Sequence, residues 1–420
     1  MPKKIAFYLS TNKHDVDCSN IESGNPGLGG SEYLIILTST LLSKSSDDVE
    51  ICLYTNFKGQ LPDCLTSVYC NGFADFAEKC RQNNVYYIVA NYTSIKRNVL
   101  VEYEDLKFII WCHNFVSWAD LDLFSRQKNV VRIVCVGREQ LDLYRDHQAF
   151  VKSDFIYNTL CLDELKGYSK KCIPTSQRNH NVLYIGSLIE CKGFLHLAKC
   201  WKKVLKKVPD ANLYVIGKGN LYDESASLGK FGLAESRFEE QFMSELSENG
   251  EILPSVHFLG ILGEEKFDVI AQTKVGVPNP GGVTETFGLT AVEMQALGCH
   301  VTSIKCPGYL DTVVDKSCLY SSVSKLADYI VGLLLSYKDV DVNEIFQYFE
   351  RFSNKDVIQQ WQKLFDIAEE SEVYLHKDRY VLRNECYHYK NLKEKIRLLK
   401  SKKHFLEALP SLEQLLYKNH

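Results

Sequence analysis

Apolar and polar positions along this chain come in blocks, and the blocks alternate between two periods. "KKIAFYLS" at the start is a continuous apolar run of strand length, the pattern of a strand covered on both faces in a parallel sheet. A loop rich in Gly, Asn, Asp and Ser follows, ending "NPGLGGSE", and then "YLIILTSTLLSK" predicts a helix. The exchange repeats. Strands are expected at "VEICLYT", "VYYIVAN", "FIIWCHN", "VVRIVCVG" and in "SDFIYNTL", with helices at "GFADFAEKCRQN" and "REQLDLYRD". Such alternation over about 160 residues predicts an α/β domain, a mostly parallel sheet between two helical layers with right-handed crossovers.

A polar stretch from Lys166 to Asn181 breaks the pattern and reads as a linker. The alternation then restarts with "VLYIGSL", the helix "GFLHLAKCWKKVLKKV", "ANLYVIGKG", a long insertion from Leu221 to Pro254, "VHFLGIL", the helix "GEEKFDVIAQT", "VGVPNP", a helix after Thr286, "HVTSIK", "CLYSS" and the helix "VSKLADYIVGLLLSY". Two doubly wound sheets are therefore expected. In such sheets ligands bind outside the carboxyl ends of the strands, so two sheets facing each other would share one cleft.

Composition narrows the class without naming a reaction. At 420 residues, with 45% hydrophobic and 24% charged content, the chain suits a soluble enzyme of two or three domains. The net charge of -4 gives no argument for nucleic-acid binding. From Val373 to His420, however, 11 Lys and Arg face 5 Asp and Glu, so a basic tail follows an acidic body. The 15 cysteines are scattered through apolar stretches with no C-x-x-C pair, which points to reduced, buried thiols and a cytoplasmic setting. No signal-peptide pattern opens the chain, and no uncharged apolar run is long enough to span a membrane.

The segment most suggestive of chemistry is "NPGGVTETFGLTAVEMQALGC", residues 279 to 299. Gly281 and Gly282 allow a tight turn and close approach of backbone to a ligand. Thr284 and Thr286 lie near a helix start, where free N–H groups and the helix dipole favour an anion. Leu289, Val292, Ala296 and Leu297 give that helix an apolar face. Glu285 and Glu293 then stand eight apart as two negative charges without an evident partner. They read either as hydrogen-bond acceptors for a hydroxyl-rich ligand or as a helix cap and a solvated side chain.

This segment resembles the E-x7-E motif of retaining glycosyltransferases with two Rossmann-like domains, the GT-B architecture of family 4. The matching residues are Glu285, Phe287, Gly288, Glu293, Ala296 and Gly298, with His300 where proline is usual. "VLYIGSLIECKGFLHLAKCW" is similar to the family's diphosphate-binding strand, loop and helix. Lys192-Gly193 matches its lysine–glycine pair, while Ser187 stands at the usual arginine, a charge that Arg138 or another base would have to replace. "GLGGSE" resembles the glycine-rich first loop, with Gly29 and Gly30 as candidate donor or acceptor contacts, and "VHFLGIL" the strand that packs on the base, placing Leu259 there. His113, after the strand "FIIWCHN", matches a histidine that reaches the transferred sugar.

The resemblance implies Glu285, Lys192 and His113 as catalytic residues. It implies Gly29, Gly30, Ser187, Leu259, Gly281, Gly282, Thr286, Phe287, Gly288 and Glu293 as donor-binding residues, with Glu285 on the sugar and Glu293 on the ribose. It further implies a nucleotide-sugar donor, a UDP-sugar by expectation, a glycan or glycolipid acceptor, and no cofactor or metal. The "DLD" at Asp120 to Asp122 is accordingly read as surface charge on a helix. Domains are expected at 1–165 (acceptor side), 166–352 (nucleotide-sugar side), 353–372 (a helix returning to the first domain, capped by Ser353) and 373–420 (the basic helical tail, broken at Pro410). The tail, beyond the resemblance, reads as an added helical pair or as a contact to an anionic membrane or a protein partner. The expected setting is bacterial surface-glycan synthesis at the cytoplasmic side. Two rivals are a nucleotide-sugar epimerase of the same fold and a non-catalytic sugar-nucleotide-binding subunit, the latter favoured by Ser187.

Overall fold

The computed structural model describes residues 2–12, 16–45, 49–219, 227–368, 389–402, 406, 409, 411 and 412. Leu221, Val373, Pro410 and His420, positions named in the expectations above, lie outside them.

The first domain is built on strands β1 (Lys3–Leu9), β2 (Val49–Thr55), β3 (Thr66–Tyr69), β4 (Tyr87–Asn91), β5 (Lys107–Cys112), β6 (Val130–Cys135) and β7 (Ser153–Phe155). They form one seven-stranded sheet in the order β3-β2-β1-β4-β5-β6-β7, every pair parallel. Successive side chains of a strand point to opposite faces. Thus Ile5, Phe7 and Leu9 join one core, and Ala6 and Tyr8 join the other. Both faces are covered, by helices α1 (Gly30–Ser45), α2 (Phe73–Gln82), α3 (Arg97–Glu102), α4 (Trp118–Arg126) and α5 (Arg138–Leu143). That is why these strands read as unbroken apolar runs. β3 was not expected; all four of its residues are exposed or half-buried, as suits an edge strand, so its sequence carries no apolar block.

Helix α6 (Leu162–Ser169) packs against helices of the second domain, α9 (Lys266–Ala271), α10 (Leu289–Ala296) and α13 (Val342–Phe349). The chain therefore crosses between domains just after β7, and the stretch read as a linker begins inside a helix.

The second domain has strands β8 (Asn181–Ile185) and β9 (Asn212–Ile216), a small hairpin of β10 (Ser247–Glu248) and β11 (Glu251–Ile252), then β12 (Val256–Gly260), β13 (Val275–Gly276) and β14 (His300–Val301). A parallel five-stranded sheet runs β12-β9-β8-β13-β14, beside a two-stranded pair of β15 (Ser303–Ile304) and β16 (Leu319–Tyr320). Helix α7 (Phe194–Lys207) buries Phe194, Leu197, Trp201 and Val204 in the core beneath this sheet. The long insertion is not a bare loop. Its described part carries α8 (Ser236–Leu246), which packs Phe238, Phe242 and Met243 against α7.

After α11 (Pro307–Thr312) and α12 (Leu326–Leu334), helix α14 (Asn354–Ile367) crosses back to the first domain, with the Ser353 hydroxyl accepting from the Asp356 N–H. Its Trp361 is fully buried, with ring centroids 6.0 Å from Phe7 and 4.9 Å from Trp111. Lys3 and Arg132 donate to the carbonyls of Phe365 and Ile367 at its end. One core thus runs through both domains and the return helix.

Part of the charge on the described tail faces inward. Helix α15 (Lys390–Lys402) lies on the first domain, where Lys393 donates to the Leu143 carbonyl and Glu394 pairs with Arg145. Lys393, Arg397 and Lys400 are buried, while Leu392 and Leu399 are exposed. Among the described cations of the tail, Lys393 bonds the body, Arg397 and Lys400 bond within the tail, and Lys395 and Lys402 are exposed. No helix among the described residues is long and apolar enough to cross a membrane.

Candidate active site

Both sheets point their carboxyl ends at one cleft of about 590 Å³ between the domains. Loops after β1, β5, β8 and β13 line it, bringing Gly30, His113, Ser187, Lys192, Glu285, Thr286, Phe287, Gly288 and Glu293 together.

The turn before α10 is shaped by close packing. Gly193 has a φ of +69°, and a Cβ there would lie 2.5 Å from the Gly281 nitrogen, so only glycine lets the Lys192 loop meet the Gly281 turn. Asn279 closes that turn: its Oδ1 accepts from the Gly282 N–H at 3.0 Å, and its Nδ2 donates to Glu285 Oε2 at 3.3 Å. Lys192 Nζ approaches the same Glu285 oxygen at 3.7 Å. At the other end, Glu293 Oε1 accepts from Lys266 Nζ at 2.7 Å, with both side chains nearly buried. The two glutamates that looked unpartnered in sequence each have a lysine.

His113 is 9% exposed and packs 4.3 Å from the Trp111 ring. Burial pushes its imidazole down to about 3, so it is neutral across the physiological range. Its carbonyl accepts from the Thr286 hydroxyl at 2.7 Å, which links the first domain to the glutamate turn. His113 Nε2, Asn158 Oδ1 and Thr284 Oγ1 are buried, find no hydrogen-bond partner among the described residues, and belong to residues lining the cleft. Buried polar atoms are almost always paired, so three orphans around one cavity mark a place for a polar ligand.

Several expected contacts fall elsewhere. The Gly29 N–H donates to Glu32 Oε2 at 2.9 Å, so the helix supplies its own anion there; Gly30, not Gly29, borders the cleft. Gly281 and Gly282 form the turn but are not among the residues lining the cleft, and the Gly282 amide is taken by Asn279. Leu259 is exposed on β12, and Ile261 and Leu262 border the cleft instead. Ser187 is 1% exposed and donates to the Lys218 carbonyl, so its hydroxyl is engaged. Arg138, the residue expected to make up for Ser187, is not among the residues lining the cleft. None of the described residues of the insertion, 227 to 254, lines the cleft. Asp120 bonds Tyr92, Arg97 and Ser117, while Asp122 faces His147, all outside the cleft lining.

Lys266 and Asn279 were missed as site residues. Asn279 opens the quoted motif and could have been taken with it. Lys266 follows two glutamates at a helix start and looks like ordinary solvated charge.

Comparison with known proteins agrees with this geometry. The fold is that of GT-B glycosyltransferases, two Rossmann-like domains facing a central cleft. An α,α-trehalose-phosphate synthase (UDP-forming) from Burkholderia vietnamiensis superposes with a TM-score of 0.60 at 10% identity, over 89% of this chain and 99% of that one. The glycosyltransferase AviGT4 of avilamycin A biosynthesis gives 0.54 at 15% identity, over 88% and 99%. In sequence, residues 179–336 match the family described as glycosyl transferases group 1. An uncharacterized glycosyltransferase of Haemophilus influenzae is 27% identical over 139 residues, a third of each of the two chains.

Proposed function

We propose that this chain is a retaining glycosyltransferase of family 4 that moves a sugar from a nucleotide-diphosphate sugar to a glycan or glycolipid acceptor. The observation that carries the reading is the convergence of both E-x7-E glutamates, Lys192 and the neutral His113 on one interdomain cleft. A UDP-sugar is the preferred donor class, since a structurally similar synthase is UDP-forming and a second similar structure was solved with UDP-2-fluoro glucose.

Lys192 and the dipole of α10 would offset charge on the departing diphosphate, and such preorganised electrostatics supply much of an enzyme's rate enhancement. Glu285 and the imidazole of His113 would hold sugar hydroxyls and orient the anomeric carbon. The bond from that carbon to the diphosphate oxygen breaks, and the bond to the acceptor oxygen forms on the same face. The acceptor proton passes to the leaving phosphate oxygen, so neither glutamate becomes a nucleophile and no metal is required. The acceptor class, bacterial surface-glycan synthesis and a cytoplasmic location belong to the same proposal, as does a membrane or protein contact through 373–420. That contact would have to use the exposed leucines of α15.

A non-catalytic donor-binding subunit is the second reading, favoured by the buried, engaged Ser187 where the family has a cation. Turnover separates the two. Incubation with a panel of nucleotide sugars, read by nucleotide release and by NMR of the product's anomeric configuration, should show turnover with retention. Glu285→Gln should lower kcat by about a hundredfold or more with an unchanged melting temperature. Binding without any turnover would establish the subunit reading, and an inverted product would contradict retention.

A further inference from the structure

Lys266 belongs to no part of the motif, yet it forms the shortest ionic contact of the cleft, 2.7 Å from Glu293 Oε1. It opens α9, whose Phe267 is buried and packs 4.5 Å from the Tyr168 ring. The ammonium also lies 5.0 Å from the Phe267 ring centroid. The side chains of Lys266 and Glu293 are only 11% and 16% exposed, so neither charge is well hydrated. A carboxylate so placed is costly without a counter-ion. It is also a poor receptor for hydroxyls unless its plane is fixed beforehand.

We propose that Lys266 is a positioning residue of the nucleotide site: it clamps one oxygen of Glu293 and so presents the rest of the carboxylate to the ribose hydroxyls of the donor. The inference rests on the donor-site reading given above. An ionised carboxylate offers roughly four lone-pair directions. One bond from Lys266 to Oε1 leaves Oε2 and the second lone pair of Oε1 for a vicinal diol. Lys266 therefore acts through Glu293 on the ribose and not on the diphosphate. Among the described residues, the cleft thus keeps its second lining cation at the nucleoside end, while Ser187 leaves the diphosphate side with Lys192.

The test is calorimetric, on the full chain. UDP, GDP and ADP are titrated into wild type, Lys266→Met, Lys266→Arg and Glu293→Gln, and the best-bound nucleotide is compared with its 2′,3′-dideoxy form. Loss of one charge-assisted contact should weaken binding of the ribonucleotide to Lys266→Met by about tenfold or more. Lys266→Arg should recover most of it. The penalty should vanish for the dideoxy nucleotide and in the Glu293→Gln background, which a merely structural role of Lys266 would not produce. An equal penalty on both nucleotides, or none on either, overturns the positioning role. If wild type binds none of the three, the donor-site reading itself falls and the inference falls with it.

Discussion

Glu285 and Glu293 leave one turn and one helix eight residues apart and end beside different lysines, Lys192 and Lys266. The spacing of the glutamates was legible in the sequence because the glycines, threonines and apolar face around them form a local pattern. Lys266 was not, since its role depends on reaching Glu293, distant in the chain, and nothing near it in the sequence encodes that contact. Residue spacing also cannot tell which glycine amide is free, and Gly29 proved to be occupied by its neighbour Glu32. His113 carries a prediction at this scale. Burial lowers its folded value to about 3, below an unfolded value near 6.5, so the unfolded chain binds the proton first. Its contribution to stability is thus intact above about pH 6.5 and is lost as pH falls toward 3. Chemical denaturation of His113→Gln across this window should show a flatter decline than wild type, by up to about 1.4 kcal/mol per pH unit. An unchanged slope would mean that the imidazole is not held neutral.

Among the elements, strands covered on both faces were recognisable as apolar blocks, whereas the edge strand β3 and the helix α6 were not. β3 buries too little to leave a pattern, and α6 spans a stretch whose polar residues suggested a linker. The contact of α5 with α11 joins the domains beside the cleft. Asp311 of α11 accepts from the Glu139 N–H at 2.8 Å and from the Tyr157 hydroxyl at 3.2 Å. Burial, reinforced by Glu139, raises its carboxyl to about 7. Here the sign is opposite to that of His113. The folded chain holds a proton that the unfolded chain releases near pH 4, so this contribution is present below that point and is lost as pH rises through 7. Asp311→Asn, neutral at every pH, should therefore lose less stability than wild type between pH 5 and pH 8 in thermal unfolding. Parallel curves for the two proteins would show that Asp311 is ionised throughout.

For the whole molecule, the two alternating halves predicted the two sheets, and the parallel order of each sheet explains why one cleft collects residues from distant parts of the chain. How the halves are locked together was legible only in part. The return helix and its Ser353 cap could be read, but not the packing of Trp361 with Phe7 and Trp111. The burial of Lys393, Arg397 and Lys400 on α15 was not legible in its composition. The central claim is a division of labour across the cleft, Glu285 for the sugar and Glu293 for the ribose. Calorimetric titration of one nucleotide sugar and of its free nucleotide diphosphate into Glu285→Gln and Glu293→Gln tests it most directly. Glu285→Gln should weaken the nucleotide sugar and leave the free diphosphate unchanged, while Glu293→Gln should weaken both by similar factors. Equal losses on both ligands for Glu285→Gln, or no loss for Glu293→Gln, would contradict the account.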